Sequence, residues 1–222
     1  MEINFDEKLL VAQRVDPSFD EDTLHQVLRI AIYDEYHAYN TYLKVINQFG
    51  EIKPFVNIIQ AEINHYSALM PLLEKYSVLV PTDDWYEKIE IPAKMVECCE
   101  LGVAAEIANI KMYDNLLKYT SEYPDVTDVL YKLQAASYNN HLPAFRKCVQ
   151  EYSSSTDVTS QGMINDFSEI AKKISSGTMD QEELMKLLST TNMSFLGGLL
   201  LGGVGAGALT SMIDNQDKEE GK

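Results

Sequence analysis

Residues 58–69 read IIQAEINHYSAL, an apolar stripe of helical spacing that a glutamate and a histidine interrupt. The stripe runs from Phe55 to Tyr76 in steps of three and four residues, which place its members on one face of a helix. Glu62 and His65 lie on that face three residues apart, so both side chains can converge on one point. Because an unpaired carboxylate is costly in a core, the segment predicts a buried helix that contributes to a polar site.

Three other stretches combine helical periodicity with a polar residue near the middle of the apolar face. The predicted helices span about 22–49, 54–78, 91–120 and 125–152. Pro143 lies inside the last of them, where it removes a backbone donor, and we expect a kink there. No stretch alternates as a strand would, and short connections join the long helices. The chain is therefore predicted to be all-α, an antiparallel four-helix bundle followed by a C-terminal helical extension and a glycine-rich apolar tail.

Each of the four predicted helices carries its polar interruption near the same level of the bundle. Glu35 interrupts the first stripe, Glu106 the third and His141 the fourth. Singly, each has an ordinary explanation, such as a residue on the flank of a helix or a hydrogen-bonded core histidine. Three carboxylates and two imidazoles at one core level could not all stay unpaired, and a divalent cation would turn their repulsion into coordination. The sequence therefore predicts a metal site formed by Glu35, Glu62, His65, Glu106 and His141.

The motifs also resemble those of a known superfamily. Residues 35–42 (EYHAYNTY), with the spacing Glu-x-x-Ala-x-x-x-Tyr, and residues 62–65 (EINH) resemble the first half of the ferritin-like and rubrerythrin-like di-metal proteins. Residues 137–145 (SYNNHLPAF) are similar to a Ser-x-x-Asn-His-Leu-x-Ala-Phe run on the fourth helix of a poorly characterised branch of that superfamily. The resemblance covers residues 20–150.

This resemblance implies a ligand set and a class of chemistry. Glu35, Glu62 and His65 would surround one iron ion, with Glu62 bridging to a second ion that Glu106 and His141 hold. The implied activity is iron oxidation, peroxide reduction or iron handling, that is, a di-iron oxidoreductase of the ferroxidase or peroxidase type. The spacing does not identify catalytic residues or a substrate.

Two positions depart from the family pattern and leave the second metal with few ligands. Tyr138 stands three residues before His141, where a second Glu-x-x-His motif would have its glutamate. Asn109 stands where the third helix would carry an acidic partner for Glu106. Asn109, Tyr138 or water would have to complete the second site. One ion instead of two, and manganese or zinc instead of iron, therefore remain alternatives.

The bulk composition excludes some classes of function. The 222 residues carry a net charge of −16 and no run of lysine or arginine, so nucleic-acid binding is not expected. The N-terminus is acidic where a secretory signal would be basic and then apolar, which favours a cytoplasmic protein. The three cysteines, Cys98, Cys99 and Cys148, are an odd number without CxxC spacing. They are predicted to be free buried thiols, with no disulfide framework.

The composition changes beyond the predicted bundle, which we assign to residues 1–152. Residues 153–190 are predicted to form a linker and short amphipathic helices, residues 191–213 an uncharged glycine-rich apolar segment, and residues 214–222 a polar end. The apolar segment is just long enough to cross a bilayer core of ~30 Å, but its glycines dilute its hydrophobicity. A membrane anchor, assembly into a homo-oligomer, docking onto a partner protein and a flexible disordered segment remain alternatives for residues 191–213.

Two classes of function follow from the sequence. One is the metal-dependent iron or peroxide chemistry that the family resemblance implies. The other is a non-catalytic scaffold or interaction module, whose bundle presents the glycine-rich tail and holds at most a structural metal. Consumption of dioxygen by the metal-bound protein would favour the first class, and tight metal retention without turnover the second.

Overall fold

The computed structural model describes residues 4–154, and this part of the chain is all-helical, without a strand. The prediction of an all-α protein is confirmed for these residues. The helices are α1 (Glu7–Ala12), α2 (Thr23–Phe49), α3 (Phe55–Lys75), α4 (Trp85–Lys88), α5 (Met95–Leu116), α6 (Pro124–Ala136) and α7 (Leu142–Ser154). A 3-10 turn (Leu117–Tyr119) follows α5, and a π turn (Ser137–His141) joins α6 to α7. The segments predicted beyond residue 154 lie outside the described residues.

The first long helix begins and ends close to its predicted bounds. Asp22 caps α2, since its carboxylate accepts a 2.8 Å hydrogen bond from the backbone N–H of Leu24. Gly50 ends the helix with a φ of 88°, a conformation that glycine adopts without strain. The short helices α1 and α4 were not predicted, because six and four residues are too few to show a periodic pattern.

A π turn lies just before Pro143, where the sequence predicted a kink. The backbone N–H of Leu142 donates to the carbonyl of Ser137, five residues earlier. Pro143 then occupies the second position of α7, where a helix has no intrahelical partner for its backbone N–H groups. The wider turn also keeps Ser137 and His141 buried, while the Tyr138 side chain is 63% exposed.

A layer of polar residues divides the apolar core into two clusters. One cluster joins the first half of α2, the ends of α3 and α5, and α6: Val27, Leu28, Ile32, Leu69, Leu73, Tyr113, Leu130 and Leu133. The other joins the second half of α2, the beginnings of α3 and α5, and α7: Tyr42, Val45, Phe55, Ile58, Cys99, Val103, Phe145 and Cys148. The polar layer therefore lies between two hydrophobic clusters, which exclude water from both of its sides.

Two of the three cysteines are paired in the structure. Cys99 on α5 and Cys148 on α7 form a disulfide, whereas Cys98 is a buried free thiol. The prediction of three free thiols is therefore wrong for this pair. An odd number of cysteines without CxxC spacing does not exclude a bond between two helices that are distant in sequence. Because α5 packs along α7, the two Cα atoms come within 5.7 Å, which suits a disulfide.

Membrane spanning was also considered for the described part of the chain. Between residues 4 and 154, none of the helices combines the length and the apolar character that a membrane crossing requires. The segment for which a membrane anchor was considered, residues 191–213, lies outside this range.

Candidate metal centre

The five predicted ligands come together in the polar layer. Glu35 lies on α2, Glu62 and His65 on α3, Glu106 on α5 and His141 at the end of the π turn, and all five are buried. Their ligand atoms form two groups, Glu35–Glu62–His65 and Glu62–Glu106–His141, and within each group these atoms lie within 4.8 Å of one another. Glu62 belongs to both groups, which is the position of a bridging carboxylate.

Each group has distances that suit two ligands of a common ion. His65 Nδ1 lies 3.0 Å from Glu62 Oε2 and 3.1 Å from Glu35 Oε2. His141 Nδ1 lies 3.3 Å from Glu62 Oε1 and 3.6 Å from Glu106 Oε1. Two ligand atoms bonded at ~2.1 Å to one ion are about 3.0 Å apart at a right angle and about 3.4 Å apart at a tetrahedral angle. Both groups fall close to this range.

His141 approaches the carboxylates of Glu62 and Glu106 but does not form a hydrogen bond with either of them. Its Nδ1 atom is buried and makes no hydrogen bond within the described part of the chain. A buried imidazole nitrogen without a partner carries a desolvation cost that a metal ion would relieve. The His65 and His141 rings stack with centroids 5.4 Å apart, and both present Nδ1 to the Glu62 carboxylate.

Two buried tyrosines hold the outer carboxylates in a crossed arrangement. Tyr42 on α2 donates a 2.7 Å hydrogen bond to Glu106 Oε1 on α5. Tyr113 on α5 donates to Glu35 Oε1 on α2. Each helix therefore carries a glutamate followed seven residues later by a tyrosine, and the two helices exchange these hydrogen bonds. The sequence showed both tyrosines at core positions, but it did not show which carboxylate each one contacts.

A further buried carboxylate, Asp34, lies beside the predicted ligands and was not predicted. Asp34 accepts hydrogen bonds from Asn109 Nδ2, at 2.7 Å, and from Gln13. Asn109 Oδ1 in turn accepts a 2.8 Å hydrogen bond from the hydroxyl of Ser137. Burial, with the neighbouring Glu35 charge, raises the pKa of Asp34 to about 7. Asp34 does not fall on the apolar stripe of α2, so periodicity gave no signal for it.

Neither Asn109 nor Tyr138 has a side chain that is free to complete the second ligand group. Asn109 is buried near the site, but its amide is engaged by Asp34 and Ser137. Tyr138 is largely exposed, because the π turn rotates it away from the core. Of the three alternatives for completing the second ligand set, Tyr138 is thus directed away from it, and Asn109 would have to give up its present hydrogen bonds. Water is the remaining candidate.

A cavity of about 170 Å³ adjoins the second group of ligands. Glu62 and Glu106 line its inner end, and the small side chains of Ala38, Ala105 and Ala108 line its walls. A cavity of this size with polar lining has room for several waters or for a small exogenous ligand.

The protonation of the site follows from its burial and its charges. Burial alone would lower the pKa of His65, but hydrogen bonds to Glu35 and Glu62 outweigh it and raise this pKa to about 10. For Glu35, the interactions with His65 overcome the effect of burial and lower the pKa of the carboxyl. Burial raises the pKa of Glu62 well above its usual range. Without a metal, the site therefore holds protons at neutral pH that a cation would displace.

Comparisons with known proteins relate this chain to a solved fold. No protein-family model and no curated protein matches the sequence. One similar solved structure is the crystal structure of a hypothetical protein from Methanococcus jannaschii DSM 2661, with 22% sequence identity and a TM-score of 0.54. The match covers 63% of this chain and 86% of the archaeal chain. At this identity the likeness shows a shared helical fold and carries no information about activity.

Proposed function

We propose that this chain is a ferritin-like four-helix-bundle protein that binds two iron ions in a carboxylate–histidine site and uses them in iron oxidation or peroxide reduction. One observation carries the proposal. The two oxygens of Glu62 face two different imidazoles, Oε2 towards His65 Nδ1 and Oε1 towards His141 Nδ1. A carboxylate with one oxygen towards each of two imidazole nitrogens suits a bridge between two metal ions that each have one histidine ligand.

The arrangement of the helices supports the bundle. Helices α2, α3 and α5 and the unit formed by α6, the π turn and α7 each contribute to both apolar clusters and to the polar layer between them. Helices α5 and α7 are antiparallel, because Cys99 pairs with Cys148 while Glu106, later on α5, approaches His141, just before α7. Four packed helical units with inward-pointing carboxylates are the usual setting of carboxylate-bridged di-iron sites.

The ligand types support a transition metal that accepts both oxygen and nitrogen. Glu35, Glu62 and Glu106 offer carboxylate oxygens, and His65 and His141 offer imidazole nitrogens. This combination suits iron or manganese, with zinc as an alternative, whereas calcium and magnesium prefer oxygen alone. Iron is preferred here because the sequence resembles the di-iron proteins.

The chain's own residues would position the metals and control protons. Tyr42 and Tyr113 orient the outer carboxylates by donating their phenolic hydrogens, and burial next to Glu106 and Glu35 keeps both phenol pKa values well above their usual range. The hydrophobic clusters exclude water from both sides, and the cavity beside Glu62 and Glu106 admits a small oxidant. A pair of bound iron ions would supply electrons to dioxygen or peroxide.

A second candidate is a non-catalytic protein with one structural metal. The observation that favours it is the looser second group: His141 Nδ1 lies 3.3 Å from Glu62 Oε1 and 3.6 Å from Glu106 Oε1, whereas His65 Nδ1 lies 3.0 and 3.1 Å from its two carboxylates. In this case the Glu35–Glu62–His65 group would bind a single ion. The bundle would then act as a scaffold for the residues beyond 154.

The test is metal stoichiometry followed by turnover. Protein purified without chelators is analysed for its elements, and metal-free protein is titrated with Fe(II) by anaerobic calorimetry. We expect two iron ions per chain and consumption of dioxygen or peroxide on mixing. One retained ion without oxidant consumption would support the scaffold, and no binding in any titration would refute the metal site. Glu97→Gln, on α5 but outside the site, serves as the matched control.

A further inference from the structure

We propose that Cys99 and Cys148 form a two-electron donor for the carboxylate–histidine site. In the reduced state the pair would give its electrons to peroxide bound at that site, and the disulfide seen in the structure would be the oxidised product. This inference rests on the proposed function and assigns a chemical role to a pair that metal binding does not use.

The cysteine pair lies in register with the metal site on the same two helices. Cys99 precedes Glu106 by seven residues on α5. Cys148, on α7, follows His141 by seven residues. Because a helix rises 1.5 Å per residue, both cysteines lie two turns, or about 10 Å, from the ligand on their own helix. The disulfide therefore joins the two helices that supply Glu106 and His141.

A packed layer fills the space between the cysteines and the ligands. Gly102 on α5 contacts the ring of Phe145 on α7, midway between the two levels. The Phe145 ring centroid lies 5.2 Å from that of Tyr42. The Tyr42 hydroxyl donates to Glu106 Oε1 at 2.7 Å. Contacts thus connect Gly102 and Phe145, through Tyr42, to the candidate ligand Glu106, and Cys99 and Cys148 belong to the same apolar cluster as Phe145 and Tyr42.

Burial of the two sulfur atoms makes their direct reaction with peroxide from solution unfavourable. Cys99 is 0% exposed and Cys148 is 2% exposed, so dissolved peroxide does not reach either sulfur directly. Burial in apolar surroundings also disfavours the thiolate, which is the form that reacts with peroxide. If the pair is oxidised while the protein stays folded, its electrons would therefore have to leave through the protein.

The reaction balances with hydrogen peroxide as the oxidant. The two thiols lose two protons and two electrons and form one S–S bond. Hydrogen peroxide accepts the two electrons and two protons, its O–O bond breaks, and two waters leave. Glu35, Glu62, His65, Glu106 and His141 would hold the iron, which would supply the redox chemistry that couples the two reactants.

The test measures the thiols, independently of turnover. The full chain is reduced in denaturant and refolded under reducing conditions, and calorimetry then records whether it binds Fe(II). Hydrogen peroxide is added anaerobically, and thiols are alkylated in denaturant at timed intervals for mass spectrometry. We expect Cys99 and Cys148 to form the disulfide at least about tenfold faster in iron-bound than in metal-free protein. Cys98, which is buried beside them, should stay a thiol and reports unspecific oxidation.

Two variants complete the experiment. Cys98→Ser keeps the pair and should behave as the wild type does. In Glu62→Ala treated with the same iron and peroxide, Cys99 and Cys148 should form the disulfide at the rate of the metal-free protein. This result would exclude oxidation of the pair by iron in solution.

The outcomes distinguish this inference from the proposed function. If iron binds but the pair oxidises equally fast with and without it, or stays reduced while peroxide is consumed, the electron-donor role is refuted and the metal site stands. A chain that refolds only as the disulfide form would assign the bond a structural role and also refute the inference. If no iron binds, both proposals fail.

Discussion

Gly102 on α5 lies directly against the ring of Phe145 on α7. A Cβ atom built on Gly102 would approach Phe145 Cδ1 to 2.4 Å, far inside van der Waals contact. Phe145 also packs against Phe55 and Tyr42, with ring centroids 5.3 Å and 5.2 Å away, so the ring has little room to move. The absence of a side chain at residue 102 therefore sets how closely α5 and α7 approach, and with them Glu106 and His141.

Gly102→Ala should therefore destabilise the protein. The added methyl group would force the ring or the helices apart, and overpacking of this kind costs about 1–3 kcal/mol. The measurement is urea unfolding followed by circular dichroism. Ala104→Ser, at an exposed position on the same helix, should change the free energy of unfolding by less than about 0.5 kcal/mol. A Gly102→Ala variant as stable as the wild type would show that α5 and α7 can separate freely.

Tyr42→Phe and Tyr113→Phe should each weaken metal binding while the fold is kept. Each removes one hydrogen bond to a ligand carboxylate, Glu106 or Glu35, and loss of such an orienting partner typically lowers affinity about 10–100-fold. Competition with a chromophoric chelator measures the affinity. Tyr33→Phe is the matched control, because its hydroxyl bonds Asp84 away from the site. Equal affinities in all three variants would mean that the tyrosines do not position the ligands.

Glu62→Ala should cost more metal than Glu35→Ala. Glu62 belongs to both ligand groups, whereas Glu35 belongs to one. Elemental analysis of the two purified variants should show close to no metal in the first and partial occupancy in the second. The same metal content in both variants and in the wild type would place the bound metal somewhere else in the protein.

Metal affinity should rise with pH through the neutral range. Hydrogen bonds that His65 donates to Glu35 and Glu62 overcome burial and raise the pKa of His65 to about 10, so this imidazole is protonated at pH 7. Iron and the proton compete for the same nitrogen, so each binding event releases a proton and becomes easier as the proton concentration falls. Calorimetry in two buffers of different ionisation enthalpy counts the released protons. Binding heats that are independent of the buffer would contradict this expectation.

Ionisation of Glu100 should lower the free energy of unfolding as the pH rises. Both of its carboxylate oxygens are buried without a partner in the described residues, and burial, with the charge of Glu97, raises its pKa from 4.5 to about 8. The folded state thus binds more protons than the unfolded state between these values. Its contribution to stability is present below pH 4.5 and is lost as the pH rises through 8.

Glu100→Gln removes this ionisation and should make the protein more stable than the wild type at pH 8 by about 1–3 kcal/mol, with a smaller difference at pH 4.5. Urea unfolding at both pH values measures the difference. Asp128→Asn is the matched control, because this exposed carboxylate on α6 pairs with Lys132 at 2.6 Å, far from Glu100, and its removal should not show the same dependence. Parallel pH profiles for wild type and Glu100→Gln would show that Glu100 finds a partner in solution.

The sequence by itself determined the long helices and the five candidate ligands. Helical periodicity is a local property, so the stripe around Glu62 and His65 could be read without knowing what packs against it. The position of Glu62 as the shared carboxylate followed from the family resemblance, and the structure places its two oxygens in two groups. The all-helical class followed in the same way from the lack of alternating segments.

Only the tertiary structure decided the partners of these residues. The crossed hydrogen bonds of Tyr42 and Tyr113 and the Cys99–Cys148 bond join residues 64, 78 and 49 positions apart. The π turn that turns Tyr138 outward depends on how α6 and α7 fit against the rest of the core. Such pairings are set by which helices are neighbours and by the rotation of each about its axis. Both are fixed by packing of the whole core, and no local pattern of the sequence encodes them.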